Sequence, residues 1–407
     1  MAGRSEKRGH SLLDGIRILD FAEGAFSFAG KILADLGADV IKIERPGGEP
    51  GRRIGPFIQD HPHPEKSLSF FSHNSNKRGV TLDIETPAGQ QLLLRLLGQV
   101  DGIIETFAPG KLESLGLGFQ RICQMKSGLI LVSITGFGQT GPHKDFAFCD
   151  LVISAYGGQM FVSGSPLTPP VKAAGEQTVY LASLYAVVAF LLALMKRNET
   201  GIGSQIDISA QEAAVSSLEN VLVKYLFEEM IAARQGNVYA NHAFGVFPCR
   251  DGFILLSILQ NWETLLEWIA GDGMAEDLQE EKWKDPDFRR NNMAHIFEVV
   301  GRWTQIQSRG KLFELGQLMR FPWAPIQNPE EVLRDPQLES RSFFLSKLHP
   351  QTNTSFLIPN IPFRSNLPLH RKWLPAPDIG EHNQEIYQEE LGLSSDEIKH
   401  LAGLGAI

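Results

Sequence analysis

Apolar and polar positions along the first third of the chain switch repeatedly between two periods, which predicts alternating strands and helices. "GIRILDF" (15–21) is a short apolar run of strand length. "FAGKILADLG" (28–37) places Phe28, Ile32, Leu33 and Leu36 at helical spacing, and "ADVIKIE" (38–44) returns to strand character. The result is a βαβ unit. Further strands are predicted at "RGVTLDI", "DGIIETF" and "GLILVSITGF", with a helix over "PAGQQLLLRLLGQV". Alternation of this kind predicts an α/β fold with a doubly wound parallel sheet.

A different pattern begins at residue 176. From Thr178 to Met195 the chain carries no charge, and Tyr180, Ser183 and Tyr185 interrupt an otherwise apolar run. The run approaches the ~20 residues a membrane span needs, but it is solitary and lacks a flanking aromatic belt. A helix apolar all round is expected inside a large protein, so no membrane is expected as a partner. Lys196, Arg197 and Gly201 mark its end. Helices are expected to dominate to about residue 234. A break follows at "RQGNVYANHAFGVFPCRDG", and then "FILLSIL" and tryptophan-bearing helical stretches suggest a smaller α+β unit. The expected division is 1–225 for the N-terminal part of the large domain and 226–335 for the small domain. Residues 336–407 form a C-terminal segment, with a helix at "SSDEIKHLAGLG".

At 407 residues with 43% hydrophobic content the chain can fill two cores. Three cysteines without CxxC spacing argue against disulfides and structural zinc, and a reducing cytoplasm is the expected location. The polar start "MAGRSEKRGHS" lacks the apolar stretch of a secretory signal and reads as a disordered lead-in. A net charge of −9 disfavours nucleic acid as a partner. "AEGAFSFAG" after the first strand lacks the GxGxxG spacing of a dinucleotide site. The basic residues Lys42, Arg45, Arg52, Arg53, Lys77 and Arg78 fall near strand ends, where phosphates bind in such sheets, although solvated loop charges are an equal reading. His61 and His63 in "HPHP" have no third ligand type near them, so no metal is expected.

The segments "LLDGIRILDF", "LADLGADVIKIERPGG", "NSNKRGVTLDIETPAG", "ETFAPGKLESLGLG", "SITGFGQTGP", "RNETGIGSQIDIS", "RDPQLESR" and "IGEHNQEIYQEELGLSSDEI" occur in this order. They resemble the class III coenzyme A transferases, a family that also contains the α-methylacyl-CoA racemases. The resemblance implies a large α/β domain to which the C-terminal segment returns, a smaller domain, and two interlocked chains. It also implies a CoA thioester as substrate, a carboxylic acid as acceptor, and no tightly bound cofactor.

In the transferases an aspartate after a glycine attacks the thioester, forming an acyl–aspartyl anhydride and a CoA thiolate. Glu176, after Gly175, resembles that position. A helix N-terminus favours an ionised carboxylate, and its free N–H groups can hold developing negative charge. Glutamate is longer by one methylene, however, and attack requires close alignment. Three roles are open: a working nucleophile, the mark of a subunit that supports an aspartate-bearing partner, or an ordinary helix-terminal acid. Family members built from two unlike subunits, such as succinyl-CoA:benzylsuccinate CoA-transferases, make the second the preferred expectation. A self-sufficient transferase using Glu176 and a noncatalytic acyl-CoA-binding or structural protein are the alternatives. By the same resemblance Arg45, Leu82, Asp83 and Phe107 are expected to contact CoA. The racemases use a His-Asp pair where this chain has Cys149 and Asp150, and a thiol is a poor substitute for imidazole in reversible proton transfer, so racemisation is not expected.

Overall fold

The computed structural model describes residues 11–239, 243–348, 354–366 and 373–407. The lead-in 1–10 and part of the "NVYANHAF" break lie outside the described residues. Two compact units are formed: Met1–Met160, Lys172–Met230 and Phe343–Ile407 make the first, and Phe161–Val171 with Ile231–Ser342 the second.

The first unit is organised by six parallel strands: β1 (Arg17–Phe21), β2 (Asp39–Glu44), β3 (Arg78–Thr81), β4 (Gly102–Glu105), β5 (Ile130–Thr135) and β6 (Gln205–Ser209). Their order, β3-β2-β1-β4-β5-β6, reverses direction between β1 and β4. In such sheets the crevice beyond the carboxyl ends of the strands at the reversal is where ligands bind. The helices are α1 (Phe28–Asp35), α2 (Leu68–Asn74), α3 (Pro87–Leu97), α4 (Lys111–Ser114), α5 (Phe119–Met125), α6 (Asp150–Tyr156), α7 (Gln159–Val162), α8 (Gln177–Thr200), α9 (Ala210–Ser216) and α10 (Glu219–Glu228). One apolar layer lies under α1 and α8, with Ile18, Val132, Ala186 and Phe190 among its members. The other lies under α3 and the C-terminal segment, with Leu19, Ile41, Leu96 and Tyr387. The doubly wound sheet expected from the alternation is therefore present.

Two readings of the sequence need correction. The stretch read as helical from 176 to 234 contains β6, a five-residue strand at the rim of the sheet whose Ile206 and Ile208 alternate inward. A run that short is easily absorbed into neighbouring helical patterns. Second, α8 is not enclosed on all sides within the chain. Thr178, Val179, Ala182, Ala186, Phe190 and Leu194 face the sheet and α1, whereas Leu184, Val188, Leu192 and Met195 form an exposed stripe, 47–65% accessible. The helix has the length and composition of a membrane span, but half of its apolar window is buried in the fold.

The second unit carries a four-stranded antiparallel sheet, with strands β7 (Val238–Tyr239), β8 (Phe244–Cys249), β9 (Gly252–Ser257) and β10 (Ala324–Pro325) in the order β10-β9-β8-β7. Its core is rich in indole: Trp262, Trp283, Trp303 and Trp323 are buried, and Trp268 stacks on Trp323 at 5.6 Å. Strand β8 lies within the segment read as a break. Beyond the second unit the chain forms a hairpin, β11 (Phe344–Leu348) with β12 (Ser355–Pro359), and ends in the helix Ser395–Gly403. Tyr387, in the segment between them, donates its hydroxyl to the Thr81 carbonyl at 2.8 Å and fastens the tail to β3.

Candidate active site

Only three residues separate the last residue of α8 and its cap from β6, so α8 delivers the chain to the start of that strand. Its N-terminus consequently points toward the edge where the parallel strands end. Gly175 makes the turn into it with φ of +75°, in the left-handed region that glycine enters without strain. Glu176 occupies the N-cap position but makes no capping hydrogen bond.

The cap comes instead from α6. Asp150 Oδ1 accepts from the Thr178 amide at 2.9 Å, the Thr178 hydroxyl at 2.6 Å and the Val179 amide at 3.3 Å. Its Oδ2 lies 2.5 Å from Lys172 Nζ, and Lys172 also donates to the Gly175 carbonyl. Burial would raise the Asp150 pKa, but the hydrogen bonds from Lys172, Thr178 and the helix amides outweigh it and hold the acid below its ordinary value. Glu176 is shifted the other way: partial burial and then the negative charge of Asp150 push it up against the opposing effect of Lys172. The expectation that the helix terminus would favour ionised Glu176 is thus reversed, because Asp150 takes the amides that would have done so. Lys172 carried little signal in the sequence beyond being the one basic residue between Lys144 and Lys196.

One turn into α8, Tyr180 donates its amide to the Glu176 carbonyl at 3.0 Å. Its hydroxyl meets His73 Nε2 at 3.1 Å, and the Phe28 ring lies 5.0 Å from its own. Neither Tyr180 nor His73 was distinguished by a motif.

At the same edge of the sheet the expected CoA-contacting residues follow neighbouring strands: Arg45 after β2, Leu82 and Asp83 after β3, and Phe107 after β4. Arg45 is 57% exposed and pairs with Glu85 at 2.9 Å, and Lys111 reaches the same carboxylate oxygen at 2.6 Å. Leu82 has its side chain in the core and donates its amide to the Glu44 carbonyl, so it can offer a ligand only its own carbonyl. Asp83 Oδ1 accepts the Glu85 amide. The Phe107 ring lies 5.6 Å from Phe21, and the two span the reversal between β1 and β4. Beneath them Glu105 is buried, accepts the Phe107 amide at 2.6 Å, and has a pKa pushed by burial up to about 7.

The remaining basic residues divide. Lys42, Arg52 and Lys77 are buried and committed: Lys77 to Asp20 at 2.6 Å, Arg52 to Glu44 and Glu65, and Lys42 to the Ala22 carbonyl with Glu49 3.6 Å away. Arg78 pairs with Asp39, Glu385 and Glu390. These groups build the fold. Arg45 and Arg53 are the exposed pair in this set. Among the described residues no three His, Cys, Asp or Glu side chains converge as metal ligands. His63 Nδ1 accepts the Glu65 amide.

The family model for CoA-transferase family III matches residues 13–383. The chain belongs to this family. As a family III chain it is 30% identical over 400 residues to the succinyl-CoA:(R)-benzylsuccinate CoA-transferase subunit BbsE of Thauera aromatica, covering 96% of this chain and 97% of that one. It is 31% identical over 403 residues to a succinyl-CoA–D-citramalate CoA-transferase of Chloroflexus aurantiacus, covering 98% of each. A CAIB/BAIF family protein from Brucella suis superposes with a TM-score of 0.83 at 29% identity, over 94% of this chain and all of that one. The fold, the order of motifs and these relatives agree on a class III CoA-transferase.

Proposed function

We propose that this class III transferase moves CoA from an acyl-CoA such as succinyl-CoA to a carboxylic acid, and that it works as the subunit lacking the usual nucleophilic aspartate. The observation that carries this reading is the occupation of the α8 N-terminus by Asp150. A carboxylate attacking a thioester needs donors for the oxyanion that forms. Here the Thr178 and Val179 amides already serve Asp150, while Glu176 has its pKa raised and accepts no hydrogen bond from the described residues.

The partner is an aspartate-bearing homologue, paired with this chain in an interlocked dimer. Its aspartate attacks the thioester carbonyl and expels the CoA thiolate, leaving an acyl–aspartyl anhydride. The thiolate attacks the aspartyl carbonyl of that anhydride, releasing the donor acid and forming an aspartyl-CoA thioester. The acceptor acid then runs the same two steps in reverse and leaves as its CoA thioester. The exposed stripe on α8 and the exposed Leu226 and Phe227 on α10 supply apolar surface that a second chain would cover. One similar protein is itself named as a subunit. On the present chain, Arg45 and Phe107 contact the CoA, with the backbone at Leu82 and Asp83. Aromatic or dicarboxylic acids are the acceptor class suggested by the two-subunit relatives. The protein works in the cytoplasm without a bound metal or cofactor.

A second reading keeps Glu176 as nucleophile in a self-sufficient enzyme, favoured by its exposure beside Lys172. Expressing the chain alone and together with an aspartate-bearing homologue separates the two. The proposal expects little transfer from the chain alone, and restored transfer with a co-purifying partner. Full turnover by a homodimer, abolished by Glu176→Gln, would overturn it.

A further inference from the structure

Strand β3 stands at one edge of the six-stranded sheet, and among the described residues its one strand neighbour is β2. Its outer edge is nevertheless covered, by a segment that is not a strand. Gly79 donates its amide to His382 Nδ1 at 3.1 Å and accepts the His382 amide at 2.9 Å. Thr81, two residues on, donates its amide to Asn383 Oδ1 at 2.9 Å, and its hydroxyl accepts from Asn383 Nδ2 at 2.8 Å. Its carbonyl accepts from the Tyr387 hydroxyl at 2.8 Å. These directions follow from the groups themselves. An amide N–H only donates and a carbonyl only accepts, which places the Asn383 oxygen on the Thr81 amide, its NH2 on the Thr81 hydroxyl, and the tyrosine proton on the Thr81 carbonyl. Glycine at 79 lets the segment lie this close, since a Cβ there would stand 2.7 Å from Pro377.

The hold continues into the residues expected to meet CoA. The Thr81–Leu82 peptide is fastened at both ends, by Tyr387 at its oxygen and by the Glu44 carbonyl, 2.6 Å away, at its N–H. The Leu82–Asp83 peptide is fastened by its N–H, which donates to the Ala406 carbonyl at 2.8 Å. Its oxygen is left over. Parallel pairing of Glu44 with Thr81 makes residue 46 the next donor for the Leu82 carbonyl, and that residue is Pro46, which has no N–H. Strand β2 therefore offers this oxygen nothing. A peptide is planar, so the Asp83 amide, tied to Ala406, sets the direction of the Leu82 carbonyl on the opposite side of the same plane.

We propose that Tyr387 and Asn383 are positioning residues for CoA: acting through Thr81, they hold the Leu82–Asp83 backbone so that the Leu82 carbonyl receives an N–H or O–H donor of the ligand. This rests on the CoA-transferase reading of the same edge and adds the residues that shape it. Arg45, after β2, is a contact of a different kind. Its attraction for phosphate is carried by charge and is screened by salt, whereas a hydrogen bond to a neutral carbonyl is not.

The test measures binding, which does not require turnover. Dissociation constants for CoA are determined by calorimetry at two ionic strengths on the full-length assembly and on assemblies with Tyr387→Phe or Asn383→Leu in this chain, and urea midpoints are recorded beside them. Misplacing one neutral hydrogen bond weakens binding by about three- to tenfold. Weakening of that size, by the same factor at both ionic strengths, supports the proposal. A lower midpoint with unchanged constants would show that the segment only stabilises the sheet edge, and overturns it. Weakening that shrinks as salt is raised would place the damage at Arg45, and overturns it as well. Should Asn383→Leu fold poorly because it orphans the Thr81 amide, Tyr387→Phe keeps the buried ring and is read by the same criteria. Failure of the unaltered assembly to bind CoA would overturn the transferase reading along with this one. Normal binding by the unaltered assembly with indifferent variants overturns this one alone.

Discussion

Asp150 reaches across from the start of α6 to close the N-terminus of α8 through Thr178, and the two side chains approach to 2.6 Å. Three donors end on one carboxylate oxygen, two of them helix amides that would otherwise have no intrahelical partner. Asp150→Ala is expected to cost about 2–4 kcal/mol, since it removes a cap and leaves buried donors unpaired. Lys172→Met leaves those three bonds in place and is expected to cost less, about 1–2 kcal/mol, since the Asp150 carboxylate is buried but Lys172 stays partly in water. Urea midpoints at unchanged m-value measure both. Equal losses would show that the lysine, and not the helix amides, gives Asp150 its importance.

Arg45 and Glu85 make a prediction of opposite signs. Glu85 holds both Arg45 and Lys111, so a phosphate arriving at this edge competes with a carboxylate for the same cations. Arg45→Ala is expected to weaken CoA binding by about 1–3 kcal/mol through the loss of a charge-assisted contact. Glu85→Gln is expected to tighten binding, and most strongly at low salt, where exposed charges are least screened. Titrations with CoA at two ionic strengths check both. Weaker binding in the Glu85 variant would show that the acid orders the site instead of competing in it.

The sheet was legible in the sequence because β1, β2, β4 and β5 are largely buried and rich in Ile, Leu and Val, although Asp20, Lys42, Glu44 and Glu105 interrupt them. Strand β6 was not, since a rim strand of five residues with polar alternates carries a signal no longer than a turn. The charges were misjudged for a related reason. Lys42, Arg52 and Lys77 look like any loop or strand-end cations until the fold delivers Glu49, Glu44 and Asp20 to them, and each of these pairs joins a strand residue to one outside that strand. The candidate site shows the same divide. Glu176 was visible as one acid ahead of an uncharged run, but its electrostatics depend on Asp150, 26 residues earlier and brought in by packing. His73 and Tyr180 are more than a hundred residues apart, and no spacing rule connects them.

His73 is expected to make stability fall in mild acid. In the folded chain its pKa is held down to about 4, against 6.5 for the free side chain. Above about pH 6.5 the ring is neutral in both states and contributes no pH dependence. As pH falls from 6.5 toward 4 the unfolded chain takes up a proton that the folded chain refuses, and stability drops by up to about 3 kcal/mol before levelling off. His73→Phe removes the titrating ring and should flatten that part of the profile, whatever its effect at neutral pH. Denaturation midpoints between pH 4 and 7 provide the measurement, and parallel profiles for the two proteins would refute the assignment.

Glu105 is expected to act in the opposite sense, and its variant should be more stable than the natural protein in alkali. The side chain sits at the end of β4, buried, with its carboxylate accepting the Phe107 amide at 2.6 Å. Burial drives its pKa up to about 7, the hydrogen bonds from Ser133 and Phe107 restrain the rise, and the charges of Glu113 and Asp207 add to it. The free side chain titrates at 4.5. Between these values the unfolded chain loses its proton first, so the folded state is progressively disfavoured as pH rises from 4.5 to 7, by about 3 kcal/mol in all. Glu105→Gln keeps a carbonyl for the Phe107 amide and cannot ionise. It should be close to neutral at pH 4.5, where the natural side chain is protonated in the fold, and stabilising by about 1–3 kcal/mol at pH 8. Because Phe107 is expected to meet CoA, bound phosphates would hold Glu105 protonated to still higher pH. CoA binding by the natural protein should then take up protons near pH 7.5, whereas binding by the glutamine variant should take up fewer. Calorimetry in buffers of different ionisation enthalpy counts those protons, and equal uptake by both proteins would separate Glu105 from the nucleotide site.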